Sequence, residues 1–187
     1  MKKKIFVAAP ALSRSGYGVH ARTVLRALRT KEDEIDIYLH NLNWGSSSWL
    51  YDDNEERRWI DSLLLKTVKY QKEGSGQFDM SLQVTIPNEW QLAAPINIGI
   101  TAGIETTKVS PQWIEKANMM DKVLVVSNHS KYVYENTVYE AKNEQTGEII
   151  NGYKCETPID VIGYPVIDYS PEELDIELDY DFNFLSV

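Results

Sequence analysis

Apolar positions in this chain switch repeatedly between a strand period and a helix period. Ile5, Phe6, Val7, Ala8 and Ala9 form an unbroken apolar run of strand length. From Tyr17 onward, Tyr17, Ala21, Val24, Leu25 and Leu28 fall on one helical face. Further strands are predicted over 35–40, 81–86 (stopped by Pro87), 96–101, 122–126 and 159–162. Between them, Asn54 caps a long helix with Glu55 and Glu56 in its first turn, and Gly74-Ser75-Gly76 ends it. Trp59, Leu63, Thr67 and Tyr70 mark the inward face of that helix. Ser110 and Pro111 suit the cap and first position of a short helix, and Ser127 caps the one after it.

Strands that alternate with helices predict an α/β fold, a doubly wound parallel sheet with helices on both faces. The segment near 138–154 breaks the rhythm. Tyr139 to Lys142 rise to a polar turn at 143–147, and Ile149, Ile150 and Tyr153 return, which predicts an inserted β-hairpin. The domain is expected to span 1–169. An acidic linker follows at 170–181, and a new apolar strand starts at 182–187, where a lone strand would present an open edge. That arrangement predicts one piece of a longer, two-domain design.

Composition narrows the functional classes. The 187 residues suffice for a substantial core, and a formal net charge of −9 argues against a general nucleic-acid or anionic-membrane binder. A single cysteine, Cys155, excludes an intramolecular disulfide framework and suits a reducing compartment. No apolar run approaches the roughly 20 residues of a membrane span. Met1-Lys2-Lys3-Lys4 opens like a signal peptide, but the apolar run breaks at Pro10, so a cytoplasmic location is expected.

The chemistry concentrates in Ser13-Arg14-Ser15-Gly16-Tyr17-Gly18, between the first strand and the first helix. A helix that starts after such a turn aims uncovered N–H groups and its positive dipole end at a ligand above the strand, and a phosphate suits both. Ala21 stands where the third glycine of the dinucleotide fingerprint belongs, which weakens a dinucleotide-dependent oxidoreductase. The same turn also serves as a purely structural link. Arg14 is the better phosphate partner, with its bidentate fork, and Arg22 lies near enough the helix start to help. Arg26 and Arg29 read as a solvated face. Glu105 follows the strand at 96–101, where open α/β sheets place ligands; it suits sugar hydroxyls or developing positive charge, or equally a structural ion pair. Thr106 and Thr107 suit hydroxyls or a turn, and Trp44 and Trp49 suit a sugar face or a tuck into neighbouring structure. Asp52-Asp53 reads as helix-cap chemistry. His20, His40 and His129 are scattered, and no set of residues has metal-ligand spacing.

Five stretches in order resemble the amino-terminal half of a GT-B glycosyltransferase, most like glycosyltransferase family 4. They are Gly16-Tyr17-Gly18 with Arg22 and Leu28; Glu105-Thr106-Thr107 with Pro111 and Trp113; Asp121 to Ser127; Pro158 to Asp168; and the strand from Phe182. The resemblance implies a Rossmann-like, acceptor-side domain, with the nucleotide-sugar donor held mainly by a second domain. It implies metal-independent, retaining sugar transfer to a carbohydrate or other hydroxyl, with no cofactor besides the nucleotide-sugar substrate. On that pattern Gly16, Tyr17, Gly18 and Arg14 face the donor diphosphate, Glu105 is catalytic, and Thr106, Thr107 and Trp44 contact the acceptor. The histidine that many members carry after the fourth strand is replaced here by Thr101-Ala102-Gly103-Ile104-Glu105. The alternative reading is a non-enzymatic Rossmann-like module that binds a nucleotide or a protein.

Overall fold

The computed structural model describes residues 2–74, 76–142, 147, 149–166, 170 and 182. The expected acidic linker and the strand from Phe182 therefore lie outside the described residues, apart from Ser170 and Phe182, as do residues 143–146 of the predicted hairpin turn. The elements run β1 (Lys3–Ala9), α1 (Gly16–Arg29), β2 (Ile35–Asn41), α2 (Glu55–Lys72), β3 (Met80–Val84), β4 (Asn97–Ile100), α3 (Pro111–Asn118), β5 (Lys122–Val125) and α4 (Asn128–Asn136). The hairpin β6 (Val138–Lys142) and β7 (Ile149–Lys154) and the strand β8 (Ile159–Val161) complete them. A single 3-10 turn at Pro87–Glu89 lies between β3 and β4.

Six strands form one parallel sheet in the order β2-β1-β3-β4-β5-β8, and β6 pairs with β7 antiparallel beside it. The predicted Rossmann-like α/β fold is thus present, with helices flanking the sheet. Alternation along each strand divides the core in two. Ile5, Val7 and Ala9 of β1 and Ile37 and Leu39 of β2 pack with Ala21 and Leu25 of α1 and Ile60 and Leu63 of α2. Val123 and Val125 of β5 and Ile159 of β8 pack with Ile114 and Ala117 of α3 and Val133 and Tyr134 of α4. Leu124, between the two β5 valines, points to the first cluster instead.

The inward face of α2 matches the predicted one at Leu63 and Thr67 and departs from it at Ile60, Trp59 and Tyr70. Ile60, Leu63 and Thr67 are its buried residues, while Trp59 and Tyr70 flank them half-buried. The helix closes the β2 edge, so each flank finds a partner of its own. The Trp59 indole N–H donates to Glu32 at 3.0 Å, and Tyr70 rings with Tyr38 and Phe78 at 4.6 and 5.2 Å. Arg26 and Arg29 of α1, read as a solvated face, pair with Glu56 and Glu55 of α2. Such exposed pairs contribute on the order of 1 kcal/mol or less each.

Gly99 of β4 faces the fully buried Trp90, and an added Cβ would lie 2.7 Å from three atoms of its ring. An indole enclosed on all sides cannot yield to that contact. Gly99→Ala is therefore expected to lower unfolding free energy by about 1–3 kcal/mol, read from chemical denaturation. An unchanged denaturation midpoint would show that Trp90 has room to shift.

Candidate functional site

The connection order reverses at the centre of the sheet. From β1 the chain passes through α1 to β2 on one side, then returns through α2 to β3 on the other. Ligands of open parallel sheets sit at such a reversal, outside the carboxyl ends of the strands. Here that place is bounded by the loop before α1, the Trp44 loop after β2 and the 3-10 turn after β3. Ser15, Asn43, Trp44, Ser47 and Glu89 line a crevice there of about 560 Å3.

The turn before α1 is built from serines. Ser15 caps the helix, its hydroxyl accepting the Gly18 N–H at 3.1 Å. The Ser13 hydroxyl accepts the Ser15 N–H at 3.0 Å, donates to Ser15 Oγ at 2.8 Å, and meets Ser47 Oγ at 2.7 Å. Among the described residues, the N–H groups of Gly16 and Tyr17 take no partner, so two donors of the first turn stay open beside the helix dipole. Gly18 and Gly16 differ. A Cβ on Gly18 would stand 2.0 Å from the Ser13 carbonyl oxygen, whereas one on Gly16 meets nothing within 4 Å. Neither is among the glycines with positive φ. The loop thus requires a glycine at 18 because the chain doubles back on itself there.

The arginines divide by burial. Arg22 is buried and turned inward, donating to the carbonyls of Ala11 and Ser13 at 2.9 and 2.7 Å. It shapes the loop instead of reaching for an anion, which corrects the role expected of it. Burial also lowers its pKa. Arg14 is half-exposed at the rim and stands 3.6 Å from Asp52, so Asp52 serves that pair and Asp53 pairs with Arg58. Trp44 is half-buried, its ring 4.6 Å from that of Tyr17. Trp49 bridges back to Ser13 and remains 43% exposed.

Tyr17 joins the loop before α1 to the loop that carries Glu105. Its hydroxyl accepts the Ala102 N–H at 3.1 Å and meets the Thr101 hydroxyl at 3.0 Å. Beyond this, Ile104 and Val109 are buried anchors: the Ile104 N–H donates to Ser130 Oγ at 3.1 Å and the Val109 N–H to Thr137 Oγ1 at 3.2 Å. Glu105, Thr106 and Thr107 stand exposed between the anchors. Glu105 and Thr106, but not Thr107, border a second hollow of about 470 Å3, lined also by Lys108, Ser110 and Trp113. The Glu105 carboxylate has no hydrogen-bond or ion-pair partner among the described residues. His129, in the first turn of α4, donates from Nε2 to the Thr106 carbonyl at 3.2 Å.

Two residues at the site carried no signal in the sequence. Glu89 follows the proline that ends β3, and its carboxylate accepts from the buried Thr85 hydroxyl while lining the crevice. His129 reaches Thr106 only because α4 begins beside the Glu105 loop. Among the described residues no group of His, Cys, Asp and Glu is arranged to hold a metal ion, and no helix is long and apolar enough to cross a membrane. Comparison with family models, curated proteins and solved structures gave no match.

Proposed function

We propose that this chain is the amino-terminal, acceptor-side half of a metal-independent glycosyltransferase of GT-B architecture, similar to family 4. The observation that carries the reading is the α1 start, where two uncovered N–H groups lie at the reversal of the sheet and Tyr17 links them to the Glu105 loop. In this reading the Gly16 and Tyr17 N–H groups and the dipole of α1 stabilise charge that develops on the leaving diphosphate, as preorganised donors do. Gly18 keeps that turn close, and Arg14 adds a guanidinium at the rim. Glu105 bonds sugar hydroxyls or stabilises the positive charge that forms at the reacting carbon. Trp44, Thr106 and Thr107 seat the acceptor, and positioning supplies much of the remaining rate. The base and ribose of the donor belong to another domain, and the location remains cytoplasmic in this account.

A second reading, a nucleotide- or protein-binding module, draws on Ser15 and Arg22, which spend their donors and acceptors on the loop itself. Sugar transfer from UDP-, GDP- and ADP-sugars by the enzyme that contains this chain, followed by mass spectrometry with a chelator present, separates the two. Product with retained anomeric configuration supports the transferase. Absence of transfer from every donor by folded enzyme favours the module. Turnover by the 187-residue chain on its own would contradict the placement of the donor in another domain.

A further inference from the structure

The connection from β3 to β4 carries only the 3-10 turn at Pro87–Glu89. Beside that turn lies a further hollow of about 340 Å3. Its lining includes Phe6 and Ala8 of β1, with Gln83 of β3 and Thr85 just beyond it, and Ala8 pairs with Gln83 in the sheet. Leu42 and Thr85 line this hollow, while the next residues along the chain, Asn43 and Ile86, line the crevice of about 560 Å3 that holds Trp44. Glu89 lines both. The two hollows therefore meet at Glu89.

Glu89 is exposed, yet its place is fixed by buried side chains. The buried Thr85 hydroxyl donates to one of its carboxylate oxygens. The other oxygen has no partner among the described residues. Two positions on, the buried Gln83 amide clamps the Gln91 backbone, with Oε1 accepting the Gln91 N–H at 2.9 Å and Nε2 donating to the Gln91 carbonyl. Trp90, between Glu89 and Gln91, is fully buried. The turn is thus anchored around a carboxylate that keeps one oxygen open.

Exposed polar side chains stand in both hollows, Asn43 in the crevice and His40, Gln71 and Gln91 in the hollow beyond. Each also has an aromatic residue in its lining, Trp44 in the first and Phe6 in the second. Amides, an imidazole and a carboxylate beside aromatic surface suit a ring that carries hydroxyls, which offers donors and acceptors at its rim and apolar faces. A cavity of about 150 Å3 holds benzene, so each hollow has room for one such ring with its hydroxyls.

We infer that Glu89 binds at the junction of two sugar subsites, and that the acceptor is an oligosaccharide with one unit beside Trp44 and the next beside Phe6 and Gln83. The inference rests on the function proposed above, because the ligand of this groove is an acceptor only where sugar is transferred.

The test is an NMR titration of the 15N-labelled 187-residue chain with glucose, galactose and mannose, and with maltose, cellobiose, lactose and mannobiose. At least one disaccharide is expected to shift the Trp44 indole N–H together with the side-chain amides of Gln71 and Gln91. Its component monosaccharides bind roughly ten-fold more weakly or worse. Glu89→Gln keeps an oxygen for the Thr85 hydroxyl and removes the charge, so it weakens the disaccharide roughly ten-fold while the rest of the amide spectrum stays in place. Thr85→Val, which leaves the carboxylate unheld, weakens it in the same direction. Equal affinity for single sugars and disaccharides overturns the inference, as do shifts confined to one hollow, unchanged affinity in Glu89→Gln, or no binding by any of these sugars. None of these readouts uses a nucleotide sugar. Disaccharide binding without sugar transfer counts against the proposed function alone, and transfer without disaccharide binding at Glu89 counts against this inference alone.

Discussion

Gly18→Ala is expected to destabilise the protein by about 3 kcal/mol, while Gly16→Ala, two residues away, changes stability by less than about 0.5 kcal/mol. The contrast follows from what a methyl group meets. At Gly18 it would sit 2.0 Å from the Ser13 carbonyl oxygen and 2.7 Å from its carbon, and that backbone cannot move alone. Arg22 grips the same carbonyl at 2.7 Å, Ser13 Oγ holds the Ser15 N–H, and Ser15 Oγ holds the N–H of Gly18 itself. Shifting Ser13 away from a Cβ therefore loosens several hydrogen bonds together. One of these comes from a buried guanidinium, which is costly to leave unpaired. At Gly16 the space is open and φ is not positive, so alanine fits. Calorimetry should show a Tm lower by about 6–12 °C for the first variant and almost no shift for the second. Equal Tm values would mean that Ser13 can retreat and that the serine and arginine contacts do not fix the loop.

Glu105→Gln is expected to reduce sugar transfer by roughly 10²-fold or more while leaving stability within about 0.5 kcal/mol. The sequence left Glu105 open to an ion-pair role, and the geometry now separates the two outcomes. The residue is exposed between the buried anchors Ile104 and Val109, with no partner for its carboxylate among the described residues. Glutamine preserves its shape, and the anchors hold the loop through backbone N–H groups that the substitution does not touch. Lost charge is the remaining change. Melting and turnover measured on one preparation of the enzyme decide the matter, since a lowered Tm with normal transfer would assign Glu105 a structural part only.

The sheet and its helices were legible because period-2 and period-3.6 patterns are local, and so were Asn54 and Ser127, whose hydroxyl or amide oxygens cap the helices as expected. The α2 face was legible at Leu63 and Thr67, but Ile60 was missed because the aromatic bulk of Trp59 and Tyr70 outweighed it. Only the closure of the β2 edge by that helix determines which side turns inward. At the site, the position of the glycine turn could be read from spacing. The cause of the glycine at 18 could not, because it depends on a carbonyl five residues earlier and on an inward-turned arginine. Tyr17 on Ala102 spans 85 residues and Ser130 on Ile104 spans 26. Such side-chain-to-backbone ties leave no periodic trace. Glu89 was hidden for a related reason, since it enters the crevice from a short turn that the proline at 87 marks only as an end.

The central claim of the proposed function is that the α1 start and the Glu105 loop together receive a sugar nucleotide. Titration of the 15N-labelled 187-residue chain with a panel of nucleotide sugars and inorganic pyrophosphate tests it most directly, because the amides of Gly16, Tyr17, Ala102 and Glu105 report on it residue by residue. A few N–H bonds to a solvated phosphate add little net affinity, and full strength needs water to be excluded by a closing partner domain. The expected result is shifts confined to those amides, with affinity no better than millimolar. Shifts located elsewhere, or micromolar binding of a nucleotide sugar by this chain alone, would contradict the account.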